Sequence, residues 1–152
     1  MIQRVQSVYL LLAAVSIVVF LCFPTGYFID SEGIITGIFK PLGVTLSDNT
    51  FLSTWGLFAL SLLSALIQVC TIFLFRNRML QMRMSIFSII VICGYYIAFI
   101  FFLSVLKEKL FDTSFQIRWP LCLPLVSIIL TWLANRAIHH DENLVKAADR
   151  LR

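Results

Sequence analysis

The densest set of side chains able to hold a metal is His139-His140-Asp141-Glu142, two imidazoles followed by two carboxylates. Zinc-type sites draw on such residues at spacings that let them converge, typically i and i+4 on one helix face. Adjacent helical residues point about 100° apart, so this run reads as a solvated helix end rather than a chelate. Thiol chemistry has as little support. Cys22, Cys70, Cys93 and Cys122 contain no Cys-x-x-Cys pair, and none falls within an external loop as a thiol-oxidising or quinone-linked enzyme would require. They read as small apolar fillers. A Cys22–Cys122 disulfide would need the first and last helices to be neighbours.

The interior offers still fewer handles. The four apolar stretches contain no Asp, Glu, Lys or His, and their single charged residue is Arg136, next to the end of the fourth, whereas ion-coupled transport needs an ionisable group at membrane depth. A small proton-coupled multidrug exporter would carry an acid in its first span, and this chain has none. No His, Asp and Ser constellation of the kind a membrane hydrolase uses gathers at a span end. The sequence therefore nominates no catalytic, cofactor-binding or metal-ligating residue, and the expectation is a protein that is not an enzyme. Gln68 is the one amide well inside a span. It either lines a polar pathway or bonds a neighbouring helix.

Each apolar stretch is long enough to cross a hydrocarbon core of about 30 Å, which takes about 20 helical residues. The spans are placed at about 7–23, 50–75, 84–106 and 119–137. A hydrophobic fraction of 60%, a charged fraction of 13% and a mean hydropathy of +0.93 agree, because soluble domains carry roughly 25% charged residues. In lipid every backbone N–H and C=O must be satisfied within the segment, so the spans must be helical. The expected fold is an all-α membrane protein, a four-transmembrane-helix bundle, with residues 1–152 forming a single domain. Between the first two helices, Tyr27-Phe28-Ile29 and Ile34-Ile35-Thr36 flank Asp30-Ser31-Glu32-Gly33, which reads as a small external hairpin-like loop. Lys40-Pro41-Leu42-Gly43 is expected to break regular structure after it.

Charge sets the orientation. Arg4, Arg76, Arg78, Arg83, Arg136, Lys146, Arg150 and Arg152 lie on one side, against Lys40, Lys107, Lys109 and Arg118 on the other. The positive-inside rule then makes both termini and the middle loop cytoplasmic. Arg4 followed by an apolar run resembles a signal peptide, but Phe20-Leu21-Cys22-Phe23-Pro24 supplies no small-residue cleavage site, so the first helix is expected to be retained. Trp55, Trp119 and Tyr27 fall near external span ends, and Tyr9 and Trp132 near cytoplasmic ones, as interface anchors do.

Packing faces can be read from small and weakly polar residues. Ser61, Ser64, Gln68 and Thr71 recur at intervals of three, four and three; Pro120, Pro124, Ser127 and Thr131 form a similar stripe in the fourth span, where Pro124 should kink the helix or leave its first turn irregular. Gly94 and Ala98 make a small-xxx-small pair expected to bring two helices close. Phe99, Phe101 and Phe102 are expected to face lipid. Arg76, Arg78 and Arg83 crowd the middle loop. Residues 141–152 can form a short cytoplasmic amphipathic tail with Leu144, Ala147 or Ala148, and Leu151 on one side and Lys146, Asp149, Arg150 and Arg152 elsewhere, suited to the inner leaflet, to a partner, or to solvent alone. Arg76, Arg78, Arg83, Leu144, Arg150 and Arg152 are thus the candidates for lipid-headgroup or partner contact, and Gln68 for intramembrane polar contact. Nucleic acid is excluded as a partner, since the positive charge is spread along membrane boundaries.

The segment Met1-Ile2-Gln3-Arg4-Val5-Gln6-Ser7-Val8-Tyr9, the loop Phe75-Arg76-Asn77-Arg78-Met79-Leu80-Gln81-Met82-Arg83 and the tail Asp141-Glu142-Asn143-Leu144-Val145-Lys146 with Asp149-Arg150-Leu151-Arg152 resemble an uncharacterised family of small bacterial four-helix integral inner-membrane proteins. The resemblance covers the whole chain. It implies a bacterial inner (plasma) membrane location and the topology above, and it transfers no catalytic residue because the family has no established activity. That its recurring residues include the loop and the tail implies a working surface on the cytoplasmic side. The expectation for function is a structural or accessory subunit of a membrane complex, touching membrane lipids and a membrane-protein partner or a second copy of itself. The alternative is a lipid- or small-molecule-binding membrane protein or minor transporter component.

Overall fold

The computed structural model describes residues 2–47, 50–74, 77–109 and 113–150. Helix α1 (Ile2–Cys22) ends just before Pro24, which can neither donate a helical hydrogen bond nor accept an α conformation in the residue before it. Four strands follow: β1 (Gly26–Asp30), β2 (Ile35–Lys40), β3 (Gly43–Leu46) and β4 (Phe51–Ser53). Helices α2 (Trp55–Phe73) and α3 (Arg78–Lys109) come next, then strand β5 (Thr113–Ile117), a 3-10 turn (Trp119–Cys122) and helix α4 (Leu123–Arg150).

The strands form one antiparallel sheet of order β4-β3-β2-β1-β5. This overturns the expectation of an all-α four-helix bundle: the protein joins four long helices to a five-stranded sheet. The β1–β2 hairpin lies where the sequence places it. Asp30 closes its turn, its carboxylate accepting from the Ser31 N–H at 2.7 Å and its carbonyl from the Gly33 N–H at 2.9 Å. Gly33 sits at φ 79°, a conformation that costs an L side chain about 1–2 kcal/mol.

The other strands depart from expectation. Lys40-Pro41-Leu42-Gly43 is not a break but a tight turn, with Lys40 directly opposite Gly43 and Pro41 and Leu42 at its tip. Residues 51–53, placed in the second span by hydropathy, are strand β4, so that helix begins at Trp55. Strand β5, in the connection between α3 and α4, pairs with β1 along its whole length, Gly26 opposite Ile117 and Asp30 opposite Thr113. The Arg118 N–H donates to the Thr25 carbonyl at 3.0 Å, fastening the exit of α1 to the entrance of α4.

Because β1–β4 connect α1 to α2 and β5 connects α3 to α4, the sheet sits at one end of the helices. The α2–α3 turn, the start of α1 and the end of α4 lie at the other. Within the helical body α1 packs on α2 and α4, and α3 on α2 and α4. One sheet face is buried against it. Phe28, Phe39 and Val44 are fully enclosed with Phe20, Leu57, Tyr95, Phe99 and Leu106. Phe39 meets Phe99 edge-on at 5.5 Å, and Phe28 lies 5.1 Å from Phe115, separations that suit aromatic pairs. Phe99 is therefore core rather than lipid-facing, whereas Phe101 is exposed.

Among the described residues four helices are long and apolar enough to cross a membrane, over Val5–Cys22, Trp55–Phe73, Met79–Lys107 and Trp119–Asp141. Helices α3 and α4 run past the spans expected at 84–106 and 119–137, since Arg, Lys and Glu end an apolar run without ending a helix. The tail belongs to α4, which continues unbroken to Arg150. Pro124 enters at its second residue, behind the 3-10 turn, where a missing N–H leaves no helical bond unmade. Gly94 does not mark a close crossing, because a Cβ there would meet nothing within 4 Å. All four cysteines are free and exposed, which removes the Cys22–Cys122 disulfide.

Candidate functional site

The two polar stripes meet at the centre of the helical body. Gln68 is wholly buried, and its Nε2 donates to Ser127 Oγ at 2.7 Å and to Thr131 Oγ1 at 3.2 Å across the interior. Thr131 passes its own proton to the Ser127 carbonyl at 2.7 Å, which leaves its lone pairs free to accept from Gln68. Ser61, Thr71 and Ser85 likewise donate to carbonyls of their own helices. Ser64 and Ser88 face one another at 3.5 Å between α2 and α3.

Near this column, Tyr96 donates to the Leu121 carbonyl at 2.8 Å and so pins α3 to the 3-10 turn. Tyr95 packs edge-on against Phe20 at 5.4 Å. Among the described residues its hydroxyl has no hydrogen-bond partner, and neither have Gln68 Oε1 and Gln6 Nε2. A cavity of about 10 Å³, bordered by Tyr95, Ser61, Ser64 and Pro124, lies beside it, room for a single water. Gln68, Ser127, Thr131, Ser64 and Ser88 are neutral hydrogen-bonding groups, an arrangement that can hold helices in register.

The remaining candidates gather at the end opposite the sheet. Arg78 opens α3 and Arg83 is exposed on it; Leu144 and Arg150 lie in the last turns of α4. Arg76 and Arg152 fall outside the described residues. His139 and His140 line a surface groove together with Trp132 and Arg136, and no cluster of three or more His, Cys, Asp or Glu able to hold a metal occurs among the described residues. At the sheet end, Trp55 and Trp119 are exposed, and Arg118 lies over the Tyr27 ring at 4.7 Å while donating to its hydroxyl at 3.0 Å.

Reading the sequence separately for each helix finds both stripes but not that Gln68 joins them. It also leaves Trp132, Arg136 and His140 apart, as an interface anchor, an orientation charge and part of a helix end, although their spacing of four places them along one face of α4.

With this geometry in view, residues 2–151 match a family model described as a domain of unknown function, DUF4293. The chain belongs to the DUF4293 family. The match takes in α1 to α4 and all five strands. No curated protein matches the chain.

Proposed function

We propose that this DUF4293 protein is a structural or accessory subunit of a membrane complex, set in a bacterial inner membrane with both termini and the α2–α3 turn in the cytoplasm. The observation that carries this reading is the neutral interior formed by the described residues. Gln68 spends its donors on Ser127 and Thr131, and the cavity beside Tyr95 has a volume of about 10 Å³, so the work falls to the surfaces. The orientation rests on the surplus of Lys and Arg at the end away from the sheet. Arg76, Arg78 and Arg83 with Leu144 and Arg150 of α4 and Arg152 after it in the sequence would supply the partner contacts.

Affinity purification from native membranes in mild detergent tests this, comparing the intact chain with a triple Arg76→Gln, Arg78→Gln, Arg83→Gln variant and with a chain ending at His140. A stoichiometric partner held by the intact protein and lost from either variant is expected. Retention of every partner by both variants would remove the docking role of this end.

A further inference from the structure

Two surface grooves converge on one pair of side chains in α4. The first, about 450 Å³, runs between α1 and α4 and is lined by Val5, Tyr9, Leu133, Arg136, Ala137 and His140. The second, about 350 Å³, lies on the other side of Arg136 and is lined by Trp132, Asn135, Arg136, His139 and His140. Arg136 and His140, present in both, are one helical turn apart and both exposed. The Arg136 guanidinium stands 5.8 Å above the Trp132 ring.

Depth decides what these grooves would meet. By length and composition the candidate span of α4 runs to Asp141, with His140 at its end and Arg136 about a turn inside it, a depth from which a long arginine side chain reaches the headgroups. Leu133 and Tyr9 lie about one turn further toward the membrane centre. A ligand that fits must therefore carry an anionic, hydrogen-bond-accepting group joined to a hydrocarbon chain. A guanidinium binds phosphate oxygens with two parallel N–H donors, and the aromatic rings of Trp132 and Tyr9 suit the interface. We propose that Arg136 and His140 bind the phosphate of an anionic phospholipid, one of whose acyl chains lies in the α1/α4 groove along Leu133 and Tyr9. This site is distinct from the arginine turn and does not depend on whether a partner docks there.

Native mass spectrometry of the delipidated full-length protein, titrated with phosphatidylglycerol or phosphatidylcholine, tests it. Phosphatidylglycerol should bind more tightly, and Arg136→Gln should weaken that binding by about tenfold, the loss expected for a charge-assisted bond. His140→Ala should weaken it less, and Lys40→Gln, at an exposed cation of the sheet end, should leave it unchanged. Equal binding of both lipids, an unaltered Arg136→Gln protein, or the same loss from Lys40→Gln would overturn the proposal. A second measurement needs no change at Arg136. With Trp55 and Trp119 replaced by Phe, brominated-chain phosphatidylglycerol diluted into phosphatidylcholine vesicles should quench Trp132 more than brominated phosphatidylcholine does; equal quenching would overturn the site.

Discussion

Gln68 is the residue on which the helical interior turns, because its two donor bonds reach from α2 to α4. Interhelical bonds of this type contribute about 0.6–2 kcal/mol in membranes. Gln68→Leu keeps the volume and loses the bonds, so reversible unfolding in detergent should show a destabilisation of that size with the helical circular dichroism intact. Gln68→Glu should cost more, since it adds an ionisable group to a wholly buried site. If both variants were as stable as the parent, the interior bonds would be incidental. Gln68 stands out in the sequence because an amide among apolar residues needs a partner. Its partners do not, since Ser127 lies 59 residues away and only the packing of the helices brings the two stripes together.

At the scale of elements, the aromatic cluster that ties sheet to helices is the part that can be loosened selectively. Phe39 is fully buried and touches both Phe99 and Phe115, and removing such a ring costs about 3–5 kcal/mol. Phe39→Ala should speed amide exchange in β1–β3 and β5 by orders of magnitude while the centres of α2 and α4 stay protected. Uniform exchange across helices and sheet would mean the two unfold together. Gly26→Ala acts on a single seam. A Cβ there would stand 2.7 Å from the Gln116 carbonyl oxygen and press on the Phe115 ring, so β5 should exchange fast while β2 and β3 remain slow. The hairpin of β1 and β2 is legible in the sequence because its turn is local, with Asp30 and Gly33 supplying the chemistry. Strands β3 and β4 are not, since segments of four and three residues give almost no periodicity and Pro41 reads as a breaker. Strand β5 pairs with β1 across more than 80 residues, a relation that no local pattern records.

For the whole molecule, hydropathy announces the four helices because lipid tolerates little else, but it marks where apolar composition stops rather than where a helix stops. The charged ends of α3 and α4 therefore extend past the expected spans. The sheet end and the arginine end lie at opposite ends of the helices, and in the orientation proposed above the first faces outward and the second the cytoplasm. In a background with the four native cysteines replaced by alanine, Ser31→Cys at the hairpin turn should label with a membrane-impermeant maleimide in intact cells. Arg83→Cys should label only after permeabilisation. The reverse pattern would invert the topology and with it the assignment of the working surface.

The claim that the protein works through its arginine end as part of a complex is tested most directly in intact membranes. A photo-cross-linking residue would be placed at Arg83 or Leu80, both exposed at the start of α3, and as a comparison at Ile97, exposed midway along it. A single discrete adduct with another membrane protein, formed from Arg83 and Leu80 and absent from Ile97, is the predicted result. Cross-links to lipid alone from all three positions would contradict the account.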